Sequence, residues 1–308
     1  MKIGNREFDT ENNVYIMGIL NMTPDSFSDG GRYNTVDAAL FRAEEMAEDG
    51  ASILDVGGQS TRPGYDEVSV SEEIERIAPI IRAIKDRIDI PISLDTYRWE
   101  VAREGIKSGA DLINDVWGIL GEQREFFENN YITDYDDINV ADDTEDHLQA
   151  SKFTENNTIR VSQMASLVSK EKIPCVIMHN LPVRSGTEYL MQDVTAGLKL
   201  SLSVAKKCGI EKDKIILDPG IGFCKDTQQN LYLMSHLDEL TELGFPVLLG
   251  ASRKSVIGNV LKLPSDERLE GTLALTTCGV MKGCSFIRVH DVKENTRNAR
   301  MALALRNA

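Results

Sequence analysis

Four side chains rich in hydrogen-bond acceptors, Asp95, Asn114, Asp115 and Asp218, share a setting with four cationic ones, Arg253, Lys254, Arg288 and His290. Each closes a short apolar run or follows it within a few residues. Carboxylates and an amide suit the amino and ring N–H groups of a flat heterocycle, whereas clustered cations suit phosphate or diphosphate. An acidic floor beside a basic rim describes a ligand with a donor-rich ring at one end and an anion at the other. Singly, each residue has a plainer reading, since Asp at a strand end is often a helix cap and Lys or Arg a solvated charge. The joint pattern is what argues for a site.

Such residues meet only if the fold brings strand ends together. The clearest strand end is Lys214-Ile215-Ile216-Leu217, which delivers Asp218 into the turn Pro219-Gly220-Ile221-Gly222-Phe223-Cys224-Lys225. An aliphatic run ending in a carboxylate and a Pro/Gly turn reads as a buried strand opening onto the rim of a sheet or barrel. Cys224 reads as a small turn residue.

Seven further runs end in the same way, at Asn21, Asp55, Asp95, Asn114-Asp115, His179-Asn180, Ser252-Arg253-Lys254, and Arg288 with His290. Between the runs lie segments of helical periodicity. The pattern predicts strands over 14–20, 52–56, 90–94, 111–115, 173–178, 214–218, 246–250 and 284–289. Helices are expected over 35–49, 71–87, 98–108, 158–171, 187–207, 226–243, 266–282 and 292–305. Ser71 is the expected cap of the second helix, and Gly50 and Gly109 end the first and third. Eight strand-then-helix units predict an α/β protein, a (β/α)8 TIM barrel forming a single domain over 1–308 with all strand C-termini on one face.

Residues 118–157 break the rhythm, being too long for an ordinary strand-to-helix loop. They carry many acids, among them Asp134, Asp136, Asp137, Asp142 and Asp143, against only Arg124 and Lys152. That composition fits a solvated, partly disordered insertion; its place after a strand also fits a flap over the catalytic face.

The formal net charge of −15 excludes a general nucleic-acid binder, which needs a basic face. The five cysteines contain no CxxC pair, which points to reduced thiols rather than a zinc site or disulfide framework. No stretch reaches the roughly 18 apolar residues of a membrane span. A soluble, cytoplasmic protein is expected.

Several motifs resemble dihydropteroate synthase: NMTPDSFSDGG at 21–31, LDVGGQSTRPG at 54–64, SLDT at 93–96, Asn114-Asp115-Val116, Met178-His179, LDPGIGF at 217–223, Ser252-Arg253-Lys254 and Arg288-Val289-His290-Asp291. The resemblance spans nearly the whole chain in order, apart from the insertion. It implies condensation of 6-hydroxymethyl-7,8-dihydropterin diphosphate with 4-aminobenzoate, giving 7,8-dihydropteroate and diphosphate in folate biosynthesis.

Carried over by motif, Asp95, Asn114, Asp218 and Lys254 hold the pterin, with Met178 and Phe223 near its ring. Arg288, His290 and Asn21 hold the diphosphate, Asn21 through Mg²⁺. Phe27, Thr61, Arg62, Pro63 and Ser252 shape the aminobenzoate pocket, which is also the sulfonamide site in the family. Asp95, Asp218, Lys254, Arg288 and His290 are the implied catalytic set. The resemblance further implies a homodimer packed through helices around 226–243 and 266–306, although Leu273, Leu275, Val280 and Met281 there also fit ordinary core positions.

Losing diphosphate from the methylene carbon leaves a cation conjugated with the pterin, so loops 21–33 and 57–68 are expected to close over the site and exclude water. Two other readings compete. A corrinoid methyltransferase shares the Asp95, Asn114 and Asp218 cluster but has no use for the Arg288 and His290 pair. A non-catalytic pterin-binding homologue has no need to keep both sets together.

Overall fold

The structure is a computed structural model that describes residues 1–22, 32–59, 68–121, 139–141 and 158–308. A hairpin, β1 (Lys2–Ile3) and β2 (Arg6–Glu7), precedes the repeating part. Three regular units follow: β3 (Tyr15–Asn21) with α1 (Arg32–Glu48), β4 (Ile53–Gly57) with α2 (Val70–Arg87), and β5 (Ile92–Asp95) with α3 (Trp99–Ser108). After β6 (Leu112–Asp115) come a short parallel pair, β7 (Asn139–Ala141) and β8 (Thr158–Arg160), and then α4 (Gln163–Glu171). β9 (Cys175–Met178) leads into α5 (Leu190–Lys207), and β10 (Ile215–Asp218) into α6 (Thr227–Ser235) and α7 (Leu237–Thr241). β11 (Leu248–Leu249) leads into α8 (Ser255–Leu261) and α9 (Leu269–Met281), and β12 (Phe286–Val289) into α10 (Val292–Arg306).

Eight strands form one parallel sheet in the order β10-β9-β6-β5-β4-β3-β12-β11. Its two edges meet, because Leu217 of β10 pairs in parallel with Val247, and the Leu217 N–H donates to the Pro246 carbonyl at 2.9 Å. The sheet is a closed TIM barrel, as expected.

Strand residues alternate between two cores. Inside the barrel, Met17, Ile53, Leu112, Val176, Ile216, Leu248 and Phe286 form one apolar layer, closed below by Ile3 and Phe8. Their outward neighbours, such as Leu54, Ile113, Ile177, Leu217 and Ile287, pack into the larger core shared with the helices. Two residues after these inward apolar positions, the same face carries Ile19, Asp55, Asn114, Met178, Asp218, Gly250 and Arg288. The inner face thus changes from apolar to polar along the barrel axis, and the polar layer lies at the strand C-termini.

Several boundaries differ from the sequence reading. α2 is capped by Ser69, whose side chain accepts the Glu72 N–H, rather than by Ser71. Residues 158–160 are a strand, and α4 starts after Ser162, whose hydroxyl accepts the Ala165 N–H. The expected helix 226–243 is broken at His236, and the short helix α8 precedes α9 where none was expected. The polar lead is a hairpin that plugs the barrel through Ile3 and Phe8. Apart from 118–121 and 139–141, the acidic insertion lies outside the described residues, as do most of loops 21–33 and 57–68.

Candidate active site

A cavity of about 290 Å³ opens among the strand C-termini. Its floor is built on strands β4, β5, β6 and β12. Arg288 donates from Nε to Asp55 Oδ2 and from Nη2 to Asp95 Oδ2, both at 2.6 Å. Asp55 also accepts the Ser93 hydroxyl at 2.5 Å and lies 3.4 Å from the Asn114 amide nitrogen through either oxygen. Burial works against the Arg288 charge, but Asp55 and Asp95 more than offset it and raise its pKa.

Asp95 has one oxygen committed to Arg288; the other, Oδ1, is buried without a hydrogen-bond partner. Burial pushes its pKa up, against the opposing pull of Arg288, and the nearby charges of Asp55, Glu73 and Asp115 push the same way. A carboxylate in this state gains from any N–H donor that enters the cavity. Behind it, Glu73 of α2 accepts from the Thr96 hydroxyl and from Arg98, each at 2.9 Å, which fixes the end of β5.

A turn rather than a strand forms the adjoining wall. Asp218 closes β10 and accepts the Gly220 N–H through Oδ1 at 2.7 Å. Burial raises its pKa as well, opposed by Lys254, by the Gly220 N–H and by Arg288. Gly220 has φ +69°, and a Cβ there would lie 1.9 Å from the His179 carbonyl oxygen, so only glycine fits. The Lys254 ammonium donates to the Ile221 carbonyl and sits 4.3 Å from the Phe223 ring centroid, a cation–π contact.

The rim belongs to the segments after β11 and β12. Ser252 Oγ lies 3.0 Å from His290 Nδ1 and accepts the His290 backbone N–H at 3.3 Å. Arg253 holds a left-handed backbone, φ +57°, with its N–H on the Thr272 hydroxyl and its guanidinium on the Asp291 carboxylate.

The chain as a whole is similar to known proteins. The model of the pterin binding enzyme family matches residues 17–133 and 151–290. A dihydropteroate synthase of Clostridium beijerinckii is 47% identical over 304 residues, covering 98% of this chain and 97% of its own. One from Bacillus subtilis is 42% identical over 95% of this chain and 88% of its own. Among solved structures, a Clostridium difficile dihydropteroate synthase in the presence of pteroic acid superposes with a TM-score of 0.79 at 42% identity, covering 97% and 99% of the two chains. The chain belongs to the dihydropteroate synthase family.

Membership makes it a transferase. Of the residues that the motifs of this synthase family single out, Asn21, Asp95, Asn114, Met178, Asp218, Phe223, Ser252, Lys254, Arg288 and His290 all line the one cavity. Phe27, Thr61, Arg62 and Pro63 lie outside the described residues. Two of the acceptors and cations first weighed are taken up by other partners, although Arg253 still lines the cavity. Asp115 points away from the cavity and accepts the N–H groups of Trp117 and Ile119 in its own turn, while the guanidinium of Arg253 is bound by Asp291.

Two residues escaped the sequence reading. The run to Asp55 reads as a strand end, yet β4 runs on to Gly57 and places Asp55 on the inner face, wholly buried, where it holds Arg288 and Ser93. The signal was present as parity, since Asp55 follows the inward Ile53 by two positions. Lys225 reads only as part of a turn; no periodicity distinguishes it.

Proposed function

We propose that this synthase binds 6-hydroxymethyl-7,8-dihydropterin diphosphate in the cavity and condenses it with 4-aminobenzoate, releasing 7,8-dihydropteroate and diphosphate. The observation that carries the reading is Asp95 Oδ1, a buried carboxylate oxygen without a partner, beside Asn114 and Asp218 on the cavity lining. The ring N–H and amino groups of a pterin are the donors that such a set lacks. Lys254 would turn from the Ile221 carbonyl to the ring, with Met178 and Phe223 against its faces. Arg288 and His290 would hold the diphosphate, and Ser252 at the rim the aminobenzoate, together with Phe27, Thr61, Arg62 and Pro63.

The bond between the methylene carbon and the diphosphate oxygen breaks with its electron pair on the leaving group. The aryl amine then attacks the carbon and loses a proton. Asp95 and Asp218 stand where positive charge spreads over the ring, and Arg288 where negative charge grows on the leaving oxygens. The amine is already a neutral nucleophile, so positioning contributes more than a strong base.

Asn21 lines the cavity at the end of β3, and among the described residues no cluster of three or more His, Cys, Asp or Glu side chains is placed to hold a metal. The Asn21 amide oxygen suits a hard cation and would be the side chain that holds Mg²⁺. A bound Mg²⁺ would supply charge neutralisation of the leaving group.

A cytoplasmic homodimer completes the reading. Among the described residues no helix is long and apolar enough to cross a membrane. Met281 of α9 with Met301 and Leu305 of α10 are 48%, 59% and 56% exposed and offer an apolar face for a second copy, which light scattering would weigh. Val280 of the same stretch is instead core.

The test is formation of dihydropteroate, followed by mass, from the pterin diphosphate and 4-aminobenzoate with Mg²⁺. Product is expected from the wild type and not from folded Asp95→Ala or Arg288→Ala proteins. Undiminished product from Asp95→Ala would overturn the assignment of the cavity floor.

A further inference from the structure

The turn after β10 lies between two lysines. On the cavity side Lys254 takes the Ile221 carbonyl. On the far side Lys225 Nζ donates to the carbonyls of Gly220 at 3.3 Å and Phe223 at 3.1 Å, and lies 3.1 Å from His179 Nδ1. An ammonium has three N–H donors and no acceptor, so two carbonyls and one ring nitrogen satisfy it. With Lys225 charged, Nδ1 accepts and the ring proton sits on Nε2, a buried nitrogen without a partner among the described residues, while burial lowers the Lys225 pKa to about 7. His179 is 2% exposed, and burial, with the Lys225 charge adding to it, holds its pKa well below the ordinary value, in keeping with a neutral ring. Gly197 of α5 leaves room for that ring, because a Cβ there would come within 2.7 Å of His179 Cδ2.

The two carbonyls that Lys225 holds belong to residues tied to the cavity by other atoms. Gly220 gives its N–H to Asp218 Oδ1, and Phe223 lines the cavity beside Lys254. When Lys254 turns to a bound ring, the Ile221 carbonyl loses its donor. Lys225, walled off behind the turn, keeps its three partners.

We propose that Lys225, with His179 as its acceptor, is a positioning residue that keeps the 218–223 turn in its pterin-binding shape in both the empty and the loaded site. This rests on the pterin reading of the cavity. The plainer alternative is a staple that matters for folding alone, and the two differ in what a variant loses. A staple costs stability and leaves both substrates alike, whereas a positioning residue weakens the pterin half of the site selectively.

The experiment compares wild type, Lys225→Met, His179→Leu and His179→Asn, the last keeping an acceptor near the place of Nδ1. For each, titration with 6-hydroxymethylpterin gives the pterin dissociation constant, and initial rates give KM for pterin diphosphate and for 4-aminobenzoate. Lys225→Met and His179→Leu are expected to raise the pterin dissociation constant and the pterin diphosphate KM about tenfold or more, with the aminobenzoate KM within about twofold. His179→Asn is expected to stay near wild type. Should Lys225→Met not fold, the Leu and Asn pair at 179 decides. Pterin binding unchanged in His179→Leu, or both KM values rising together, overturns the positioning role. A wild type that fails to bind 6-hydroxymethylpterin instead overturns the pterin reading of the cavity itself.

Discussion

Asp95 and Asp218 are both buried carboxylates on one cavity, and they are held by different means. Asp95 stands on a strand, and its neighbours are other charges: Arg288 bridges it to Asp55, which Ser93 of the same strand as Asp95 and Asn114 of the next strand also contact. Asp218 stands at the head of a turn, and its neighbours are main-chain groups: it takes the Gly220 N–H while lysines hold the carbonyls of Gly220, Ile221 and Phe223. The floor is rigid because a barrel fixes strand positions; the wall is rigid because its backbone is clamped. Substitutions should therefore injure the floor through charge and the wall through shape.

Asp55→Ala should have the largest effect. It leaves the buried Arg288 with one partner instead of two, and removing one side of a buried ion pair costs about 3–5 kcal/mol. Urea unfolding would measure it, and a loss under about 1 kcal/mol would show that the floor is not held by charge. Asp55→Asn keeps the shape and should still lose most of that stability, which separates charge from packing.

Asp95→Asn follows, read in turnover rather than stability. Removing one electrostatic contact made to the transition state typically costs about 10²–10³ in kcat. The amide is isosteric, so the fold should survive and the loss should appear in kcat/KM with pterin diphosphate. Asp218→Asn is the matched test of the wall. Equal losses would mean that the two carboxylates share the charge of the cation; a much smaller loss at Asp218 would make the wall chiefly a surface for binding.

Gly220→Ala should break the wall through shape alone. With φ +69° and a Cβ 1.9 Å from the His179 carbonyl oxygen, alanine forces the turn to move, at a cost of roughly 1–3 kcal/mol. Gly250→Ala sharpens the contrast, because its Cβ would meet nothing nearer than Asp218 Oδ2 at 3.5 Å. That variant should fold as well as wild type and lose pterin affinity by narrowing the cavity. Equal stability of the two variants would mean that the turn is not clamped.

The same contrast decides what was legible beforehand. The barrel and the strand ends could be read because apolar runs and helical periodicity are local signals, and the structure brings the motif residues Asp95, Asn114, Asp218, Lys254, Arg288 and His290 together on one cavity. The direction of a strand-borne side chain is readable by parity, which separates inward Asp55 and Asn114 from outward Asp115. The clamping of the turn was not readable. Lys225 meets His179 across 46 positions of chain, and nothing in either neighbourhood marks the partner. Helix ends were misplaced where a side chain decided them, as Ser69 does in place of Ser71 by accepting the Glu72 N–H.

The smallest expected effect is a pH dependence, and it tests both regions at once. Asp95 and Asp218 have folded pKa values raised above the unfolded one, chiefly by burial. Their contribution to stability is therefore fully present below about pH 4, the ordinary carboxylate range, and is lost as pH rises through the raised values. Glu73 behaves likewise but does not line the cavity, and His179, held neutral, gives the opposite slope below about pH 6.5. The informative quantity is therefore the difference between wild type and Asp95→Asn or Asp218→Asn in how steeply stability falls between pH 4 and 7. Pterin N–H donors favour the charged carboxylates, so binding of 6-hydroxymethylpterin near pH 6 should release protons. Calorimetry in buffers of different ionisation enthalpy would count them. Proton release that is unchanged in both Asn variants would mean that neither carboxylate meets the ring, whereas release lost only in Asp95→Asn would place the ring donors on the floor and leave the wall to its shape.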